Sequence, residues 1–331
     1  MAELRKDPIL GDWVIMAPDR ATRPFDHDSN DDSLPPEPCP FCRGNEAATP
    51  EAVLTVADDK TPDDWTVRII PNRYPAVMVS PSANIDQTPE FFERTAARGY
   101  HEVIIESPSH HQAMRELSVE QCFRVVRAWR DRLSVVGADE TIAHTMIFKN
   151  EGAAAGASLE HVHSQLLATS FIPARIEAEL DAGKKHFEQT SQNLWTEMLD
   201  GELSAGSGIV SATDEFVLLC PFASRFPGEM CLFPCEPSPS FETETDSCLR
   251  HLAAILLSSL ACLNKVFPQV PFNLSLHTAP PRDPRRDSYY WHLAVTPRLT
   301  GIAGFELGSG SWINVITPED AATRYRACFR T

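Results

Sequence analysis

No apolar run in this 331-residue chain reads as long enough to cross a bilayer, and residues 1–8 lack the apolar segment and small-residue cleavage site of a secretory signal. These absences lead us to expect a soluble protein of the cytoplasm. Basic residues are also scarce: 29 lysines and arginines stand against 46 aspartates and glutamates, a formal charge of −17. Binding to nucleic acid or to an anionic membrane would need a basic face, so neither partner is expected. Cysteine is sparse and odd in number, nine in all. That excludes a disulfide framework and leaves reduced thiols plus one special pair. The chain is nevertheless long enough to bury a large core, as one large domain or two smaller ones.

The most informative stretch is residues 148–168. An apolar run ends in a small-residue loop, Gly152-Ala153-Ala154-Ala155-Gly156-Ala157-Ser158, and His161, His163 and Gln165 follow at alternate positions. In an extended segment those three share one face. Two imidazoles and an amide behind a loop rich in backbone donors suit an anionic, planar ligand, and a fixed neutral imidazole is a competent nucleophile towards a phosphoryl group. The competing reading is a pair of ordinary polar histidines on a half-buried sheet.

Cys39-Pro40-Phe41-Cys42 has the spacing of half a tetrahedral metal site, whose remaining ligands would come from the His110/His111 loop and the His161 stretch. A redox pair is the alternative, but such a motif belongs between a strand and a helix, and this one follows the acidic, proline-rich segment 26–38, read as an exposed loop. Arg20 and Arg23, just after a short strand, read either as a phosphate clamp or as solvated surface charge.

A strand pattern over residues 65–75 that ends in a proline-flanked turn, a β-rich run over 100–108, a helix opened by Ser118, and the strands flanking the small-residue loop make up the first half. Strands at 215–220 and 229–234, a helix over 245–267, and strands at 272–277 and 289–297 repeat that plan. We therefore expect an α+β fold of duplicated units, antiparallel sheets with packed helices. Residues 1–200 would carry the site and residues 201–331 a degenerate copy.

Cys39-Pro-Phe-Cys42, Ser107-Pro108-Ser109-His110, the 148–158 loop and His161-Val-His163-Ser-Gln165, in this order, resemble the galactose-1-phosphate uridylyltransferase family of the histidine-triad superfamily. The resemblance runs from Asp7 to about Arg326. It implies duplicated histidine-triad-like half-barrels, merged into one body, and a ping-pong nucleotidyl transfer in galactose and wider carbohydrate metabolism. His163 would be the nucleophile, with Gln165 and Ser158 at the phosphate. Arg20, Arg23, Asn72, Asn150, Gly152, Phe305 and Glu306 would bind substrate. Cys39, Cys42, His110 and His161 would hold one structural zinc ion. Glu179, His277 and His292 fall near three ligands of the family's second metal site, where Ala294 replaces the fourth. The partners implied are a nucleotide sugar and a hexose 1-phosphate, or phosphate, and a second copy of the chain in a homodimer. Uridylyltransferases usually read His-Pro-His-Gly-Gln. The variant here, with residues 304–310 and 314–320, is more similar to the plant ADP-glucose phosphorylase branch. Three readings follow: uridylyl transfer between hexose 1-phosphates, adenylyl transfer to phosphate, and a zinc-stabilised nucleotide-binding protein without turnover.

Overall fold

The computed structural model describes residues 2–22, 38–58, 61, 64–81, 91–111 and 113–329. Arg23 and all but the last residue of the segment 26–38 lie outside the described residues. In chain order the strands are β1 (Glu3–Lys6), β2 (Trp13–Met16), β3 (Leu54–Ala57), β4 (Trp65–Pro71), β5 (Arg94–Ala96), β6 (Gly99–Ile105), β7 (His144–Glu151) and β8 (His163–Thr169). The second half adds β9 (Ile209–Ala212), β10 (Phe216–Leu219), β11 (Met230–Pro234), β12 (Phe272–His277) and β13 (His292–Pro297). The helices are α1 (Val119–Gly137), α2 (Ala174–Thr190), α3 (Leu194–Ala205), α4 (Asp246–Val266), α5 (Gly304–Ser309) and α6 (Pro318–Phe329).

β1, β2 and β5 form a small sheet, while the other ten strands form one sheet in the order β3-β4-β6-β8-β7-β12-β13-β11-β10-β9. Read from each edge inward, both halves have the same order: a hairpin, a third strand, the last strand, and then the fourth. They meet where β7 pairs antiparallel with β12, Lys149 opposite Leu274. α1 joins the third and fourth strands of one half, and α4 does so in the other. The fold is α+β and duplicated, and the two half-barrel sheets are continuous across the β7–β12 seam.

Both connecting helices start on a side-chain cap, Ser118 accepting from the Gln121 N–H and Thr245 from the Cys248 N–H. Their apolar stripes, Phe123, Val126 and Trp129 on α1 and Leu249, Leu252 and Leu256 on α4, pack with Ile104, Ile147, Leu166, Leu274 and Leu293 into the main core. One expectation is corrected here. By length and composition α4 is apolar enough to cross a membrane, although more than half of it is buried inside the molecule. Its apolar excess covers the sheet and packs against α1 and α6.

Strand alternation then sets the site. Ile104 and Leu166 face the helices, and Ser164 accepts a hydrogen bond from Trp129 Nε1 on α1 at 2.9 Å. Residues one step away, Val103, Ile105, His163 and Gln165, turn to the opposite face. β6 pairs with β8 so that Val103 lies opposite Gln165 and Ile105 opposite His163.

Candidate active site and metal centre

His163 opens β8, buried to 6% exposure. Its Nδ1 lies 2.7 Å from the carbonyl oxygen of His161, so Nδ1 carries the proton and donates it there, which makes Nε2 the acceptor nitrogen of the ring. Phe41 packs its ring edgewise against both His161 and His163, with centroids 5.9 and 5.5 Å away. From the other side the Lys149 ammonium donates to the His163 carbonyl at 2.9 Å and to Glu106 Oε2 at 2.8 Å. Lys149 and Glu106 are both fully buried, an ion pair inside the sheet that fixes the backbone at the start of β8.

Two clefts meet at His163. One, of about 180 Å³, is walled by apolar Phe41, Pro50, Ile70, Val103 and Leu159, with Asn72, Ser158 and Gln165 on its floor. The other, of about 320 Å³, is polar, lined by Arg115, Asn150, Glu151, Gly152 and Glu160. The loop between β7 and β8 turns twice through positive φ, at Gly152 (84°) and Gly156 (89°). A Cβ on Gly152 would also stand 2.9 Å from Pro271, so glycine is required there on two grounds.

The structure brings Cys39, Cys42, His110 and His161 together, with all four ligand atoms within 4.8 Å of one another. His161 Nε2 donates to the Ser107 carbonyl at 2.9 Å, which leaves Nδ1 as the free lone pair, and Nδ1 is the atom facing both sulfurs. Burial pushes the Cys39 thiol up to about 11 and the His161 imidazole down to about 4. Two half-buried thiols converging with two imidazoles are the donor set of a metal centre.

Glu179, His277 and His292 also form a compact group. His277 Nδ1 lies 3.1 Å from Glu179 Oε2, Tyr289 donates to the same oxygen at 2.6 Å, and the two imidazoles stack at 4.6 Å. His292 Nδ1 faces the Tyr290 carbonyl two residues back, the bond His163 makes to His161. His292 opens β13 as His163 opens β8, so the second half repeats the backbone setting of His163.

Other expected site residues are placed differently. Arg20 donates to the Tyr74 carbonyl and approaches His101 Nδ1 at 3.4 Å. Asn150 accepts from Asn273 at 2.9 Å and holds the Gly156 carbonyl, so its amide braces the loop. Phe305 and Glu306 sit on exposed α5 and line neither cleft. Lys149, Glu106 and His101 carry bonds that sequence reasoning did not assign.

An imidazole whose Nδ1 is pinned to its own strand, set between an apolar and a polar cleft beside a Cys2His2 group, defines a nucleotidyltransferase-type enzyme on a duplicated histidine-triad-like fold. The family model for the N-terminal domain of galactose-1-phosphate uridyl transferase matches residues 1–173, and a domain of unknown function, DUF4921, matches residues 113–329. ADP-glucose phosphorylase of Arabidopsis thaliana is 32% identical over 97% of this chain and 91% of its own length. Galactose-1-phosphate uridylyltransferase of Thermotoga maritima is 26% identical over 98% of both. Among solved structures, a uridylyltransferase superposes with a TM-score of 0.83 at 26% identity, covering 99% of this chain and 98% of that one. The Arabidopsis ADP-glucose phosphorylase with bound ADP-glucose superposes with a TM-score of 0.78 at 31% identity, covering 98% and 99%. The chain belongs to the galactose-1-phosphate uridylyltransferase family.

Proposed function

We propose that this protein transfers a nucleoside monophosphate from a nucleotide sugar to a second phosphorylated acceptor by way of a covalent adduct on His163. The His163 Nε2 lone pair attacks the α-phosphorus, an N–P bond forms, the bridging P–O bond breaks, and hexose 1-phosphate leaves with that electron pair. The acceptor's phosphate oxygen then attacks the phosphoramidate and regenerates the imidazole. The observation that carries this reading is the pinned Nδ1–H of His163 at the junction of the two clefts. Base and ribose take the apolar cleft and the sugar phosphate the polar one. Gln165, Ser158 and the loop amides from Gly152 meet the phosphate charge, with Arg20 and Arg23 supplying local positive potential in an acidic protein. Asn72 and Asn150 support these contacts.

Zinc is the metal we assign to Cys39, Cys42, His110 and His161. A tetrahedral ion about 2.3 Å from sulfur and about 2.05 Å from nitrogen sets those atoms about 3.5 Å apart. The separations here are 3.5, 3.5 and 3.6 Å. Four protein ligands make its chemistry structural: it ties the Cys39 loop to the nucleophile's strand. Glu179, His277 and His292 are a candidate second site.

The family reading is uridylyl transfer from UDP-glucose to galactose 1-phosphate, by a cytoplasmic homodimer in galactose metabolism. The exposed apolar side chains Phe305, Leu307, Ile313 and Val315 support the dimer, and Phe305 and Glu306 would then serve substrate across it. In this reading residues 1–200 carry the chemistry and residues 201–331 brace it. A second reading, adenylyl transfer from ADP-glucose to phosphate, is favoured by the 32% identity to the Arabidopsis enzyme.

Intact-mass measurement with UDP-glucose or ADP-glucose and no acceptor, quenched at alkaline pH, tests both. A uridylyl or adenylyl increment on the wild type, absent from His163→Ala, is the expected result and identifies the base. No increment from either donor overturns the reading.

A further inference from the structure

Four side chains behind the nucleophile form a relay whose polarity is written by two backbone N–H groups. The Ala76 N–H donates to His101 Nδ1 at 3.0 Å. A backbone donor cannot reverse, so Nδ1 is the acceptor and the neutral ring carries its proton on Nε2. The Tyr74 N–H likewise donates to Asn72 Oδ1 at 2.8 Å, which fixes the Asn72 amide with Nδ2 on the far side. His101 Nε2 and Asn72 Nδ2 stand 3.1 Å apart and converge on one atom, Gln165 Oε1, at 3.0 and 3.4 Å. Arg20, at 3.4 Å from His101 Nδ1, adds another donor on the side where the ring accepts.

An amide can turn by 180° at little steric cost, and the two orientations differ in whether nitrogen or oxygen faces outward. With two donors aimed at its oxygen, Gln165 has one satisfied orientation: oxygen to the relay, nitrogen into the cleft it lines with His163. The reverse would set its NH2 against two donors inside the protein and its oxygen against an incoming phosphate. Both conflicts are costly in a buried site.

We propose that His101 and Asn72 are positioning residues that hold Gln165 as a permanent donor to the transferring phosphate. His101 does so from β6, diagonal to Gln165 across the β6–β8 pair, where Val103 is the direct partner. The proposal rests on the nucleotidyl-transfer reading, and goes beyond it by assigning His101 a role and by moving Asn72 from base contact to amide control.

The test is a double-mutant cycle on the rate of His163 nucleotidylation in single turnover, with whichever donor labels the wild type. His101→Leu should slow labelling by about 10²-fold, the scale of losing one oriented donor, with the concentration of donor at half-maximal rate changed less than about two-fold. His101→Gln, which returns an N–H near the Nε2 position, should restore most of the rate. In a Gln165→Ala background His101→Leu should cause no further loss. A multiplicative loss in that background, or no rescue by glutamine with thermal stability unchanged, overturns the proposal while the transfer reading stands. Absence of any adduct on the wild-type protein overturns both.

Discussion

Replacing Lys149 by methionine removes one member of an ion pair in which the side chains are 1% and 0% exposed and 2.8 Å apart. Glu106 would be left buried with no cation, and its Oε1 already lacks a hydrogen-bond partner among the described residues. Breaking a buried pair from one side costs about 3–5 kcal/mol, because the remaining charge must stay desolvated or take up a proton. With an unfolding entropy of about 2.1 cal/mol/K per residue, a chain of 331 residues should lose roughly 4–7 °C in Tm. Removing both partners, Lys149→Met with Glu106→Leu, should recover most of that loss. It should not recover the chemistry in full, since the His163 carbonyl still lacks its Nζ donor. One charge-assisted hydrogen bond, about 1.5–3 kcal/mol, corresponds to roughly ten-fold to a hundred-fold in the labelling rate of His163. Calorimetry on the wild type and the two variants, beside single-turnover labelling, separates the two effects. A Tm fall under about 1.5 °C in the single variant, or a double variant no more stable than the single, would refute the reasoning.

Two further outcomes are expected. Cys39→Ser should lower bound zinc well below one equivalent per chain and lower Tm, measured by elemental analysis and calorimetry; full occupancy at an unchanged Tm would count against the Cys2His2 assignment. Burial, with a smaller push from His277 and an opposing pull from Glu179, holds His144 down at about 4. The fold refuses a proton that the unfolded chain accepts near 6.5. Its contribution is therefore complete above about pH 6.5 and is lost as pH falls to about 4, roughly 3 kcal/mol at 1.36 kcal/mol per unit. His144→Phe should flatten the pH dependence of the unfolding free energy across that window. Superimposable curves would show that another group carries the acid sensitivity.

Much of the site was legible because its chemistry is local. The period-two row His161, His163, Gln165 needs only an extended backbone to share one face, and the Cys39/Cys42 spacing needs only a tight turn to present two thiols. The duplication was legible in the repeated order of strand and helix patterns. What could not be read was any bond between residues distant in sequence whose types are individually ordinary. Glu106 and Lys149 are unremarkable residues until the β6–β8–β7 order brings them together. His101 carries no motif, and its importance comes from lying diagonal to Gln165. Phe305 and Glu306 matched by position, yet α5 holds them away from both clefts of their own chain.

The sequence by itself therefore determined the elements and the reactive groups, because periodicity, caps and small-residue loops act within a few residues of themselves. Tertiary structure decided which nitrogen of each imidazole holds the proton, which way the Gln165 amide points, and which charges are buried together. Those are settled by single donors and acceptors arriving from other strands. A displacement of about one hydrogen-bond length would reverse them without changing any element of secondary structure.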